Sequence, residues 1–437
     1  MAQRDEDMNK RRARREAMRA KQAAQQRRMK RMLILAGLIL ALCGLGLFYL
    51  ISNAQPGSES IQAPVSQETT SPPETRPAAM AFQDPVTVVH IKAAGDLNVT
   101  DSVINSGLAI SGYDFSYAFQ DVAAVLADAD LTVLNFEGNV CGGPYGSATT
   151  SAPSQLLDAL RNCGVDLVQM ANSCAVNNGL NGLYTTLQSI RNAGIEPIGA
   201  YGSNEEFNRS KGYTITEVKG VRIAFVAFTK GLGGRGLPAG NDNLVNLLYT
   251  DYATTYKEVD RDRIERILKS VEAEDPDITI ALVHWGSEYN EDISATQMSI
   301  VSLMKKLGVD VILGTHPHTL QPIVFDEAEG TLVCYSLGDF YGDADRGATN
   351  YSIILDIEIT KDTDAGTTKV TGFSYTPIYT VRESDCVNGK RRVVRIEPAI
   401  AAHDGNFLDK VTDTCYEGMV YALKRIEERI VMPETEK

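Results

Sequence analysis

The chain has 437 residues, 43% of them hydrophobic and 22% charged, with 42 Lys/Arg against 56 Asp/Glu and a formal net charge of −14. That apolar share can fill a sizeable core and excludes a wholly disordered chain. Residues 1–31 carry twelve Lys/Arg against four acids, leaving 30 Lys/Arg against 52 Asp/Glu in the remainder, a net of −22. So acidic a remainder has no basic face for nucleic acid, and that class of partner is excluded.

In chain order, the basic segment 1–31 is followed at 32–51 by MLILAGLILALCGLGLFYLI, twenty residues without a charge. A bilayer core of about 30 Å needs about 20 helical residues, so the segment is expected to be one transmembrane helix in contact with membrane lipid. Positive charge on its N-terminal side predicts a cytoplasmic N-terminus and an extracytoplasmic C-terminal domain in the cell membrane. A cleaved signal peptide is the rival reading. Its apolar core usually runs about 7–15 residues, and Ser52-Asn53-Ala54-Gln55 is a weak cleavage site. Residues 52–84 are rich in Pro, Ser, Thr, Gln and Ala, a composition that cannot bury a core and reads as a disordered linker. Six of the seven cysteines follow the span and no CxxC is present. Pairing cannot be read from such spacing, and free buried thiols are the default.

From residue 85 onward, short β-rich runs stand at 86–93, 131–136, 166–170, 222–229, 278–284, 310–313, 332–336 and 351–359. Helix-like runs stand among them at 154–162, 180–192, 260–274 and 295–307. Cys163-Gly164, Ala193-Gly194 and Leu307-Gly308 each end a helix with glycine, which suits the left-handed residue just past a helix end. The alternation predicts a layered α/β domain with a partly parallel sheet. After Tyr351 the pattern changes to strands, with further runs at 369–379 and 391–396, and then a final amphipathic helix at 416–431. This tail is expected to form a mostly antiparallel sheet.

In open α/β sheets the active crevice lies beyond the carboxyl ends of the strands. Here those ends carry Gly95-Asp96, Asn135-Phe136-Glu137, Asn172-Ser173-Cys174, His284-Trp285-Gly286-Ser287-Glu288, His316-Pro317-His318 and Gly338-Asp339. Carboxylates with imidazoles suit Zn, Mn or Fe. Any one of these signals is weak alone, and their conjunction carries the expectation of a metal site.

Ala-Gly-Asp, Asn-x-Glu-Gly, Val-His-Trp-Gly-x-Glu, Gly-x-His-Pro-His-x-Leu-Gln-Pro and Tyr-Ser-Leu-Gly-x-Phe occur here in the order of the capsule-synthesis CapA family, which the chain resembles over about residues 88–340. That family is similar to the calcineurin-like metallophosphoesterases. The resemblance implies that residues 85–437 form a metallophosphatase-like sandwich, with mixed sheets flanked by helices. It makes Asp96, Glu137, Ser173, His284, His316 and His318 metal ligands for two divalent ions, and it puts Asn172 and Cys174 among the catalytic residues. Glu288, Asp339 and Trp285 are expected around them. The family is associated with poly-γ-glutamate capsule synthesis or export, so an anionic envelope polymer or a membrane polymer synthase is the implied partner.

One segment departs from the family pattern. Ser173 stands where a ligating Asn is usual, and Cys174 stands where a His would protonate the leaving group. A thiol is a poor substitute for imidazole as general acid near neutral pH. Asp339 also replaces a usual Asn and is open to binding metal, pairing with Arg346 or facing solvent. Two functions therefore stay open: a metal-dependent hydrolase, or a non-catalytic member with an impaired metal site that binds polymer or synthase. The run 231–240 with Arg235 is expected to be a loop over the cleft, and His90 and His403 are read as structural. The topology has a direct test. After alkaline carbonate washing, the full chain should stay in the membrane pellet, and release into the supernatant would remove the anchor.

Overall fold

Why the apolar runs become two stacked sheets is visible in their alternation. The computed structural model describes residues 85–386, 389–405 and 411–432. The basic segment, the apolar span and the linker assigned to 1–84 lie outside the described residues. Among the described residues, no helix is long and apolar enough to cross a membrane. Fourteen strands run in chain order among them: β1 (Val86–Asn98), β2 (Leu131–Glu137), β3 (Leu167–Gln169), β4 (Glu196–Ile198), β5 (Tyr213–Val218), β6 (Val221–Thr229), β7 (Ile278–His284), β8 (Val311–Thr315), β9 (Ile323–Asp326), β10 (Thr331–Cys334), β11 (Asp339–Tyr341), β12 (Tyr351–Asp362), β13 (Thr367–Val381) and β14 (Arg392–Arg395).

The first sheet has the order β14-β13-β12-β1-β2-β3-β4, with β11 also paired to β1; the second has the order β5-β6-β7-β8-β10-β9. β1 to β4 are mutually parallel, as are β6, β7, β8 and β10. The antiparallel tail does not stand apart. β12 pairs along β1 from Val86 to Ala93, so the tail extends the first sheet from its oldest strand.

Side chains on a strand alternate between faces, and in β6, β7 and β8 both sets are apolar. Ile223, Phe225, Ala227, Ile280, Leu282, Val311 and Leu313 join the core shared with the first sheet. The intervening Ala224, Val226, Phe228, Ala281, Val283 and Ile312 pack into a second core with helices Arg261–Glu272 and Ala295–Lys306. Helix Arg261–Glu272 buries Ile264, Ile267, Leu268 and Val271, the three-and-four spacing of a one-faced helix. The first sheet is backed in turn by helices Gln155–Asn162 and Gly179–Asn192. Mixed sheets with helices outside are the expected fold class.

The sequence runs find their strands, and the final helix is Asp413–Arg429, buried through Cys415, Met419, Ala422 and Ile426. Arg425 and Arg429 of that helix bind the carboxylate of Glu291, so the C-terminus grips the loop after β7. Cys141, Cys163, Cys174, Cys334, Cys386 and Cys415 are all free thiols.

One backbone feature sets up everything at the strand ends. The register of β1 against β2 slips between Ala94 and Asp96, making Gly95 the extra residue of a bulge. A Cβ on Gly95 would lie 1.8 Å from the carbonyl oxygen of Gly338. The contact exists because the Asp96 N–H donates to that same oxygen at 2.9 Å. Gly95→Ala must therefore push β1 off the Gly338 turn. Thermal or urea unfolding should show a loss of about 1–3 kcal/mol or more, the scale of overpacking. Unchanged stability would mean the approach is looser than described.

Candidate metal centre

The bulge at Gly95 carries Asp96 inward, and Asp96 is fully buried. Asn135, opposite it on β2, donates Nδ2–H to Asp96 Oδ1 at 2.6 Å. Two residues on, and so on the same face of the strand, Glu137 is 6% exposed. From the second sheet, the His316 N–H donates to Asp96 Oδ2 at 3.0 Å, tying the two sheets together at this carboxylate.

β7 ends in His284 and β8 in Thr315, paired side by side. Thr315 Oγ1 donates to Gln169 Oε1 at 3.3 Å and lies 3.2 Å from His284 Nδ1. His284 Nδ1 faces both this hydroxyl and, at 3.5 Å, Asn135 Nδ2, which leaves Nε2 on the side of Glu137. That Nε2 is buried without a hydrogen-bond partner. It lies 2.9 Å from Glu137 Oε1, off the line a hydrogen bond needs. An imidazole nitrogen and a carboxylate oxygen this close call for a proton or a metal cation beside them. His316 Nδ1 is likewise buried and unpartnered.

His316 and His318 have positive φ angles of 90° and 58°. Such backbone costs a non-glycine residue about 1–3 kcal/mol and persists where its surroundings hold it. The holding contacts are the Asp96 bond to His316 N, a bond from Tyr289 N to Pro317 O, and Asp339 Oδ1 at 2.8 Å from His318 Nδ1. Three sets of potential ligand atoms lie within 4.8 Å of one another: Glu137–His284–His316, Asp96–His318–Asp339 and Glu288–His316–His318.

The charges are tightly coupled. Burial, with Glu137 and Asp339 nearby, pushes the Asp96 carboxyl up to about 8 against the pull of His318. Burial works to lower His318, but Asp339, Asp96 and Glu137 outweigh it and hold the imidazole up at about 11. Burial holds His316 well below the usual imidazole range. Crowded carboxylates beside unpartnered imidazole nitrogens are a donor set that divalent Mn, Fe or Zn satisfies.

The structure brings together Asp96, Glu137, His284, His316 and His318, as the sequence leads one to expect. Asp339 belongs with them, bound to His318 and to the Asn98 amide at 2.9 Å. Arg346 instead stacks on Tyr289, 4.2 Å from its ring centre. Ser173 Oγ is 3.5 Å from Glu137 Oε1. Glu288 sits on the exposed rim. Trp285 lies in the core behind the second sheet, its indole N–H bonded to Tyr335 O at 2.9 Å, away from the ligand atoms. Cys174 is a thiol pushed up to about 12 by burial and Glu137.

Asn172 has no reach into open space. It is fully buried, and Nδ2 donates to Asn135 Oδ1 at 3.0 Å, Phe136 O at 2.8 Å and Gln169 O at 3.3 Å. Its Oδ1 accepts from Cys174 N at 3.0 Å. It positions Asn135, and through Asn135 the carboxylate of Asp96. His90 pairs with Asp356 and His403 with Asp413, and neither joins the ligand groups.

Several contributors were given no role by the sequence: Asn135, although its segment was placed at the crevice, and Asn98, Thr315, Tyr289 and Lys230. Asn135 was available from strand alternation with Glu137, and Lys230 from its place just after β6. Tyr289, stacked on His318 with centroids 5.6 Å apart, had no local signal.

Two helix-flanked sheets converging on a buried carboxylate–imidazole cluster define an α/β protein with a candidate metal centre. Residues 90–344 match the family model of the bacterial capsule synthesis protein PGA_cap, and the chain belongs to that family. It is 28% identical over 305 residues to the PGA biosynthesis protein CapA of Bacillus subtilis (strain 168), covering 68% of this chain and 73% of that protein. It is 27% identical over 259 residues to the capsule biosynthesis protein CapA of Bacillus anthracis, covering 56% of this chain and 58% of that protein. Among solved structures, the calcineurin-like phosphoesterase YfkN from Bacillus subtilis aligns with 79% of this chain and 98% of its own, at 15% identity and a TM-score of 0.42. A likeness that loose says nothing about chemistry.

If Asn172 is a positioning residue, Asn172→Ala should cost about 2–4 kcal/mol of stability, since buried acceptors are left unpaired at about 1–3 kcal/mol each. Unfolding within about 0.5 kcal/mol of the parent would return Asn172 to a role in chemistry alone.

Proposed function

We propose that this chain is a membrane-anchored, extracytoplasmic protein of capsule or envelope polymer synthesis or export, of the poly-γ-glutamate kind, with a metal-dependent hydrolase-type cleft. The supporting observation is the ligand cluster, with two buried imidazole nitrogens unpartnered and Nε2 of His284 set against Glu137. Asp96, His318 and Asp339 would hold one divalent ion, and Glu137, His284 and His316 a second. When bound, such ions supply Lewis-acid polarisation of an ester or amide oxygen. The protein's own part is positional. Asn135 and the His316 N–H fix Asp96, Thr315 fixes the His284 ring, and Tyr289 backs His318.

The names of the two CapA relatives support the polymer class. The apolar span at 32–51 supports the anchor, and the linker at 52–84 would give the domain reach from the bilayer. An anionic polymer or a membrane synthase is the partner proposed with this reading.

A second reading has one specific observation in its favour. A thiol held at about 12 gives up its proton too reluctantly to serve as general acid at neutral pH, and Cys174 stands where the family carries imidazole. On this reading the cleft binds polymer or synthase without cleaving it.

One experiment separates the two. The full chain, purified in detergent, is analysed for metal, melted with and without chelator, and assayed on phosphoesters and γ-glutamyl peptides beside Cys174→His. The hydrolase expects close to two ions per chain and a melting temperature several degrees lower in chelator, and the binder, with its metal site impaired, expects fewer ions. Turnover by the parent supports the hydrolase. Turnover gained only by Cys174→His supports the binder. A metal-free chain indifferent to chelator would sink the metal centre itself.

A further inference from the structure

The residue that follows β6 is an amine that the metal-ligand set does not use. Lys230 Nζ donates to Gly286 O at 2.6 Å and lies 4.9 Å from the centre of the Tyr256 ring. These contacts hold the side chain while leaving two of its three N–H donors unspent. Lys230 is half-buried and forms no ion pair among the described residues. Glu288 acts on it electrostatically without forming an ion pair, so its two unspent donors stay open to an anion that arrives from outside.

The surroundings leave room for one. Lys230 lines a cavity of about 320 Å³ together with His316, Ser173, Gly233, Tyr256 and Glu288. Its floor is made of small residues, and at Gly231 smallness is enforced, since a Cβ would lie 2.5 Å from Tyr252 O. His316, whose Nδ1 is buried and unpartnered, stands on the wall the cavity shares with the ligand cluster. A second cavity, of about 210 Å³, opens on the other side of the cluster and has the opposite character. Asp339, Asp343 and Asp345 line it, with no Lys or Arg.

We propose that Lys230 is the anion seat of the cleft, binding a carboxylate or phosphate oxygen of the substrate next to the Glu137–His284–His316 group. The proposal rests on the reading of the cleft as a site for an anionic polymer and adds a direction to it. The anionic group enters over Lys230 and Gly233, because the wall of Asp343 and Asp345 repels it from the other side. Glu288, across the same cavity, weakens the seat and so limits it to multiply charged or well-placed anions.

Equilibrium binding to the full chain as purified in detergent tests this, with inorganic phosphate and a γ-glutamyl trimer as the two probes. Lys230→Met should weaken both by about tenfold or more, the scale of one charge-assisted hydrogen bond, and should flatten the salt dependence. Lys230→Arg should stay within about threefold of the parent, and Glu288→Gln should tighten both probes by removing a like charge from the cavity. The Glu288→Gln arm keeps the test decisive should Lys230→Met fold poorly. Phosphate that binds through Lys230 while the trimer binds neither protein supports the anion seat and removes the polymer reading. Binding of both probes by Lys230→Met within about twofold of the parent overturns the seat, as does a parent that binds neither.

Discussion

A single buried carboxylate is the joint on which the two sheets meet. Asp96 belongs to the first sheet, yet it accepts a backbone N–H from His316 in the loop that leaves the second. It is fully buried, which with Glu137 and Asp339 nearby raises its pKa, while Asn135, His316 and His318 pull toward the charged form. An isolated carboxylate in such a place would be driven to its neutral form. The bulge at Gly95, the close Gly338 turn and the β11 pairing at Asp96–Asp339 all serve to deliver this one side chain at this depth.

Around it the polar groups form a chain in which each member fixes the next. Gln169 accepts from the Thr315 hydroxyl, Thr315 abuts His284 Nδ1, and the far nitrogen of His284 lies against Glu137. Asn172 ties β3 to Asn135, which in turn orients Asp96. The positive φ angles of His316 and His318 are tolerable because three separate contacts hold the loop between them. Partly satisfied networks are unfavourable in a protein interior, and two buried atoms left unpartnered, His284 Nε2 and His316 Nδ1, belong to this cluster.

Much of this was legible beforehand, for identifiable reasons. Long apolar runs such as those of β6, β7 and β12 announce themselves, and glycine after a helix marks the entry to the next strand. The ligands were legible because parallel strands deliver their next residues to one end of a sheet, so Asp96, Glu137, His284 and His316 could be grouped without coordinates. What was not legible depended on partners distant in sequence. β11 is only Asp339–Tyr341, and its strand character comes from lying beside β1. β5 and β9 are edge strands with weak apolar signals. The tail looked like a sheet of its own because nothing local shows that β12 finds β1. Trp285 read as either a cleft wall or core packing, and strand alternation, which turns the residue after His284 to the opposite face, makes it core. Tyr289 and Asn172 gain their roles only from the folded contacts of His318 and Asn135.

The pairing of β1 with both β11 and β12 also governs the order in which the molecule can be made. Asn98 and Asp339, which clasp each other beside the cluster, are separated by 241 residues. A ribosome or export channel therefore delivers Asp96 and Glu137 long before any histidine of the cluster exists. Until the turn at Gly338 arrives, β1 has an open edge on the side that β12 later covers. Contacts of such long range close slowly, and an uncovered strand edge recruits wrong partners. The geometry that gathers ligands from both ends of the chain makes the late segment 339–362 the point at which the emerging protein is committed to its fold.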